Sequence, residues 1–334
     1  MSDPIVGGIL VRWGEPLFYP ANRIVKADPT PRLAVLDRRK AAIIRQRIEA
    51  LVVRRAPQVM VKIVGGGRGM RAIKAQFDYI THHGSLEMED DRGVRTQGKD
   101  ALDDMAYRWR VGGSLIDEVS HRHEALYVTL SMPFGVRPSL VLQAARAFAH
   151  EELPDSQYVM VLHEHQANPH VHLAVRAQTK SGMRLNPWSD RHRWRETFAE
   201  KLRDLGVDAE ASPQSTRGEV RKYESPWLVR NDEQGQHDVG ITMEIGSQGF
   251  NKRAKAMQCW SHILTALARS PDPADRALAE HVAAFLRETP FVTEMLGPPP
   301  ERDVAPAHNI APGIHAMEHD RAARRLTVEW SMQR

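Results

Sequence analysis

The sequence predicts an α+β domain: a central, mainly antiparallel sheet flanked by helices, with a basic N-terminal arm and a helical C-terminal segment. Three observations carry this. Residues 59–64, 125–133, 158–165 and 170–177 are short runs rich in apolar and β-branched residues, the pattern of strands. Residues 70–83, 139–153 and 194–206 instead repeat apolar residues at helical spacing. The order strand–helix–strand–strand–helix belongs to an antiparallel sheet with helices packed on it.

Taken in order, residues 1–30 are rich in Pro and Gly without a sustained period and read as an extended arm. From Pro31 to Arg55 apolar residues near helical spacing alternate with basic ones, which predicts a basic amphipathic helix, either a solvated connector or a DNA-touching one. The strand VMVKIV (59–64) is followed by Gly65, Gly66, Gly67 and Gly69. With Arg68 and Arg71 this cluster reads either as backbone that approaches a phosphate or as a flexible turn; it is no Walker loop and implies no nucleotide. Met70, Ile73, Phe77 and Ile80 then mark one face of a helix with Gly84 as a natural C-cap. Residues 86–93 read as a polar turn and 100–111 as a further helix. The strand at 125–133 ends at Pro133, a helix follows over 139–153, and the strands 158–165 and 170–177 flank the tetrapeptide QANP. Arg184, Arg191, Arg193 and Arg195, interleaved with Trp188, His192 and Trp194, suit either a single-stranded DNA groove with stacking aromatics or a solvated loop. The helix 194–206 closes at Gly206. Residues 224–250 read as linker, 251–296 as one or two helices split by SPDPAD, and 298–312 as a low-complexity connector before a basic tail. The expected divisions are thus a basic arm and helix at 1–56, an α+β domain at 57–222, and a segment of unassigned role at 223–334.

Charge supports a nucleic-acid partner. Of 46 Lys and Arg, 36 are arginine, the side chain that grips phosphate in a planar fork, and the pI is near 9.2. The excess is concentrated early, with 11 basic against 5 acidic residues in 1–56 and 12 against 15 in 224–334. The mean hydropathy of -0.46, the lack of any apolar run of membrane length and a start without a signal-peptide pattern lead to an expected cytoplasmic location. The single cysteine, Cys259, lies in an apolar helical stretch and reads as a buried thiol rather than a nucleophile.

The segment that carries chemistry is His163-Glu164-His165-Gln166-Ala167-Asn168-Pro169-His170-Val171-His172. Residues two apart on a strand share a face, so His170 and His172 point together. If QANP is a tight turn, 165 stands opposite 170 and 163 opposite 172, and all four imidazoles form one tetrad on a single face. Four clustered imidazoles are costly unless they bind something, and a divalent metal is the obvious candidate.

HEHQANPHVHLAV resembles the third motif of conjugative relaxases, the plasmid-mobilisation nucleases related to T-DNA border endonucleases. His163, His170 and His172 match that family's three metal ligands. KIVGGGRGMRAIKAQFDYITHHGSLEMEDDRG resembles the first motif, in which a helix delivers the catalytic tyrosine just before a basic-Gly-x-Leu-Glu stretch; the residue in that place is Tyr79. YVTLSMPFG resembles the second. The resemblance covers about residues 58–218 and implies a palm-like relaxase fold. One departure stands out: the family's acidic residue two positions after the first histidine is His165 here, with Glu164 beside it expected to face the other side of the strand. His165 then serves either as an alternative orienting base or as a fourth ligand.

The resemblance implies metal-dependent, strand-specific nicking of DNA at a transfer origin through a 5′-phosphotyrosyl intermediate, the first step in moving a plasmid or other mobile element. It implies catalytic roles for Tyr79 and His165 and a divalent ion, Mn or Mg first, with Zn, Co or Ni also compatible. The expected DNA contacts are Arg68, Arg71, Arg184, Arg191, Arg193 and Trp194. Implied partners are single-stranded DNA, accessory relaxosome proteins and a secretion coupling protein, without membrane insertion. Two other classes remain open: a rolling-circle replication initiator, which more often places the histidine pair before the tyrosine, and a non-catalytic, metal-containing DNA-binding accessory protein.

Overall fold

The computed structural model describes residues 4–19, 35–219 and 239–296, so Tyr223, the connector at 298–312 and the basic tail lie outside the described residues. Six strands form one antiparallel sheet in the order β1-β4-β6-β5-β2-β3: β1 (Met60–Gly67), β2 (Met88–Asp90), β3 (Arg95–Thr96), β4 (Ala125–Ser131), β5 (Tyr158–His163) and β6 (His170–Arg176). Helices cover both faces. Val128, Leu130, Met160, Val171, Leu173 and Val175 pack against α5 (Pro138–Glu152) and α6 (Pro187–Asp204). The alternate residues Ala125, Tyr127, Val159, Val161 and Ala174 pack against α3 (Met70–Ile80) and α4 (Lys99–Val111). Period-two alternation therefore places His170 and His172, neighbours of Ala174 in phase, on the α3 side of β6.

Four local readings need correction. Residues Pro4–Phe18 are not an extended arm but a helix, α1, with Val6, Leu10, Leu17 and Phe18 buried. Its glycines serve close packing: a Cβ on Gly14 would collide with Ile44 of α2 (Val35–Val52), and tertiary packing outweighs the poor helix propensity. The polar turn at 86–93 contains β2, whose charges are buried because they are paired, Glu89 with Arg146 at 2.6 Å and Asp90 with Arg92 at 2.7 Å. The glycine cluster is no flexible turn, since Gly65, Gly66 and Gly67 extend β1 beyond a bulge and pair with β4. Gly66 is required by close approach, because a Cβ there would lie 2.6 Å from the Ala125 carbonyl. Finally α3 stops at Ile80, with Thr81 rather than Gly84 at its C-cap.

The first and last described segments build a second core. α1, α2, α7 (Val239–Ala268) and α8 (Pro273–Glu288) bury Leu10, Ile44, Ile48, Trp260, Ile263 and Val282 together, and Cys259 is buried among them. The short helix α9 (Pro290–Leu296) follows α8. α7 begins inside the stretch expected to be linker, and the SPDPAD break falls between α7 and α8, where Asp272 caps α8 by accepting from the Ala274 N–H at 2.9 Å. Three of the five basic residues of α2 pair within the protein, Lys40 with Glu15, Arg45 with Asp275, and Arg47 with Glu196 and Glu210, while Arg38 and Arg39 are exposed. No described helix is long and apolar enough to cross a membrane.

Candidate metal centre

The hairpin register differs from the expected one by two residues. His163 stands opposite His170 and Val161 opposite His172, and residues 164–169 form a six-residue loop in place of a tight turn. A slip of one residue would have reversed the faces, whereas a slip of two keeps them. His163, His170 and His172 therefore still share one face, and a nitrogen from each lies within 4.8 Å of the others. His165 has left the sheet. It sits exposed in the loop, its ring 5.2 Å from His163, so the tetrad does not form.

Each ligand ring is held by a second contact. His163 Nε2 donates to the Ile80 carbonyl at 2.6 Å, which leaves Nδ1 buried without a hydrogen-bond partner. His170 Nδ1 donates to the Asn168 carbonyl at 2.9 Å, and His172 Nδ1 lies 3.5 Å from Thr129 Oγ1. Protein groups thus fix one nitrogen of each ring and leave the other available, the arrangement that orients metal-ligating histidines. Burial of His163 pushes its pKa down to about 4, and burial pushes that of His172 to about 3, with neighbouring imidazoles adding to both. Three converging imidazoles and an orphaned buried nitrogen fit a divalent metal. The all-imidazole donor set suits a transition ion better than magnesium.

α3 brings Tyr79 to this face. Phe77 and Ile80 anchor the helix against the sheet, Phe77 edge-on to Trp109 at 4.9 Å, while Tyr79 points outward, 63% exposed. Its ring stands 6.2 Å from that of His172 in an edge-on geometry. The other tyrosines are placed differently. Tyr127 donates to the Ala72 carbonyl and burial raises its pKa; Tyr158 is half-buried and likewise raised. Tyr19 lies against Arg47, and Tyr107 is exposed on α4.

The expected DNA contacts are not gathered here. Gly67 pairs with Ala125 at one end of β4 and Ser131 with His170 at the other, so Arg68 and Arg71 lie at the far end from the histidines. Arg184 donates to the His123 carbonyl at 2.6 Å, next to that same far end. Arg193 pairs with Glu152 at 2.8 Å, and the Arg191 side chain lies outside the described residues. Trp194 is 1% exposed and packs edge-on to Phe148 at 5.9 Å, so it is core and presents no stacking face.

Three residues near the site escape a reading by motif. His82, on the turn after α3, places its ring 5.0 Å from His163 and 4.7 Å from His165. Lys62 stands opposite Thr129, which stands opposite His172, so it shares their face two strands away. The alternation in VMVKIV carries that signal, with Val61 and Ile63 facing the other side. Phe134 is 82% exposed, and its N–H donates to Asn168 Oδ1 at 3.0 Å, so an exposed ring borders the histidine loop.

An exposed helix-borne tyrosine thus stands beside a three-histidine sheet face that could hold a metal ion. Residues 79–207 match the family described as Relaxase: MobA/VirD2-like, nuclease domain. The match begins at Tyr79 and takes in all three histidines. That match supports DNA nicking and mobilisation in general and implies binding of single-stranded DNA. No curated protein matches the chain.

Proposed function

We propose that this protein nicks one DNA strand at a transfer origin by transesterification onto Tyr79, and so initiates transfer of a plasmid or other mobile element. The observation that carries the reading is the Tyr79 ring lying 6.2 Å from His172 at the edge of the histidine face. A divalent ion held by His163, His170 and His172 would neutralise the non-bridging phosphate oxygens and make phosphorus more electrophilic. Tyr79 supplies the nucleophile: its oxygen bonds to phosphorus, the bond to the 3′ oxygen breaks, and the phenol's proton is balanced by the one gained at the 3′-hydroxyl. The product is a 5′-phosphotyrosyl ester. Because one phosphodiester replaces another, a 3′-hydroxyl can reverse the step and rejoin the strand without ATP.

The remaining residues prepare this step. α3 holds the phenol rigidly because Phe77 and Ile80 are buried while Tyr79 is left accessible. Lys62 adds a cation on the same face for the phosphate backbone. Phe134 offers an exposed ring on which a base can stack. His165 borders the centre through His163 and takes no place among the three ligands.

The test is covalent capture. With Mn and a single-stranded origin library, wild-type protein should give a metal-dependent adduct on a denaturing gel, mapped to the peptide containing Phe77-Asp78-Tyr79-Ile80. Tyr79→Phe removes only the hydroxyl and should abolish both nicking and adduct while leaving metal binding intact. An adduct on Tyr107 or Tyr127 would overturn the assigned nucleophile. Intact cleavage by Tyr79→Phe would replace transesterification with hydrolysis.

A further inference from the structure

A second group of three histidines meets the centre from the side. We propose that His82, His163 and His165 form a second metal position, which takes a divalent transition ion such as zinc or nickel and competes with the first position for His163. Nitrogens from the three rings lie within 4.8 Å of one another, and the ring centroids are separated by 5.0, 4.7 and 5.2 Å. Nitrogens around a tetrahedral zinc are about 3.4 Å apart. His82 and His165 are both exposed and free to close that difference by side-chain rotation.

The turn after α3 is built to present His82. Thr81 Oγ1 donates to the Phe77 carbonyl at 2.7 Å and accepts from the Gly84 N–H at 3.0 Å. His83 Nδ1 meets Asp78 at 2.6 Å. His82 and His83 adopt left-handed backbone, at φ 49° and 60°, which is uncommon outside glycine and swings His82 back over β5. His165 arrives from the loop that leaves β5. Neither histidine group includes a carboxylate, and imidazole donors select zinc, nickel or copper over magnesium or calcium.

Competition follows from the shared ligand. His163 gives Nε2 to the Ile80 carbonyl and keeps one unpartnered nitrogen, Nδ1. One imidazole nitrogen coordinates one ion at a time. An ion at the side position leaves His170 and His172 without their third ligand. A slowing of nicking by excess zinc would rest on the proposed function, whereas the binding itself does not.

Binding distinguishes the two. The full chain is stripped with EDTA and titrated with zinc by calorimetry, with cobalt absorption as a second readout. Wild type should take up a single ion, because His163 serves only one position. The double variant His170→Gln/His172→Gln should still bind zinc, and adding His82→Ala should remove that binding. Circular dichroism verifies the fold of each, and His170→Asn/His172→Asn replaces the Gln pair if the latter does not fold. A folded double variant that binds no zinc overturns the proposal. So does zinc binding in the double variant that is unaffected by His82→Ala, or two ions bound together in wild type. None of these readouts depends on DNA cleavage, so a failure of the nicking assay and a failure of the second site are separable.

Discussion

Burial keeps His163 and His172 uncharged, and that has a measurable effect on stability. The folded-state pKa of His163 is pushed down to about 4 and that of His172 to about 3, against an ordinary value of 6.5. Between those values the unfolded chain binds protons that the folded chain refuses, so stability falls as pH drops through the window and the effect ends below it. In metal-stripped protein, Tm should therefore decline between about pH 7 and about pH 4, and His172→Gln should flatten the decline. Identical Tm profiles for wild type and variant would contradict the buried neutral state. At pH 7 both rings are ready as neutral ligands, with no proton to displace. These residues were legible in the sequence because period-two alternation survives a register error of two residues: His163, His170 and His172 share a face in either pairing. His165 was not, since its place depended on where the strand ends. His82 was hidden for a different reason. Its partners lie some 80 positions on, and only a left-handed turn after α3 brings it to them.

At the scale of the element, α6 illustrates how one residue type supports two opposite expectations. A tryptophan among arginines reads as a stacking platform, yet Trp194 faces the sheet and is packed among Phe148 and Phe198. Its Nε1 has no hydrogen-bond partner, so replacement by Phe sacrifices little beyond area. Trp194→Ala should lower unfolding stability by about 3–5 kcal/mol in urea titrations, as large core truncations do. Trp194→Phe should leave single-stranded DNA affinity unchanged. A loss worth about 1–3 kcal/mol of binding, with the urea midpoint preserved, would return Trp194 to the DNA surface. The strongly periodic elements, α3 and α5 among them, were legible because their apolar positions have one consistent face. β2 was not, because a strand written Met-Glu-Asp carries no apolar pattern and its two acids are buried through ion pairs with Arg92, Arg108 and Arg146. α1 was obscured by its glycines, of which Gly14 packs closely against Ile44 of α2.

Across the whole molecule, the first and last described segments fold against each other and are fastened to the nuclease sheet by a few buried polar contacts. No local pattern announces this, because each helix alone shows only a modest apolar stripe and the partners lie more than 200 residues apart. Thr216, beyond the matched residues 79–207, donates to the Leu17 carbonyl and accepts from Trp260 Nε1 at 2.8 Å, so one residue ties α1 and α7 to the sheet's flank. The main fastening is Arg47 of α2. It is 8% exposed, donates to Glu196 at 2.8 Å and to Glu210, and lies over the Phe18 ring at 4.8 Å. Glu210 in turn continues the edge of the sheet, where its N–H donates to the Pro57 carbonyl at 3.0 Å. β1 starts at that edge, paired through Met60 with Ser131, and Ser131 stands opposite His170. The helical core is therefore joined at the end of the sheet where the histidines lie. Arg47→Ala would leave Glu210, itself 3% exposed, as a buried carboxylate without its cation, which costs about 3–5 kcal/mol in comparable cases. Replacing both partners removes that stranded charge, so Arg47→Met/Glu210→Met should recover most of the loss. Urea unfolding of the wild type, both single variants and the double variant measures the coupling directly. Single variants that each cost less than about 1 kcal/mol would mean that apolar contacts alone join the two cores.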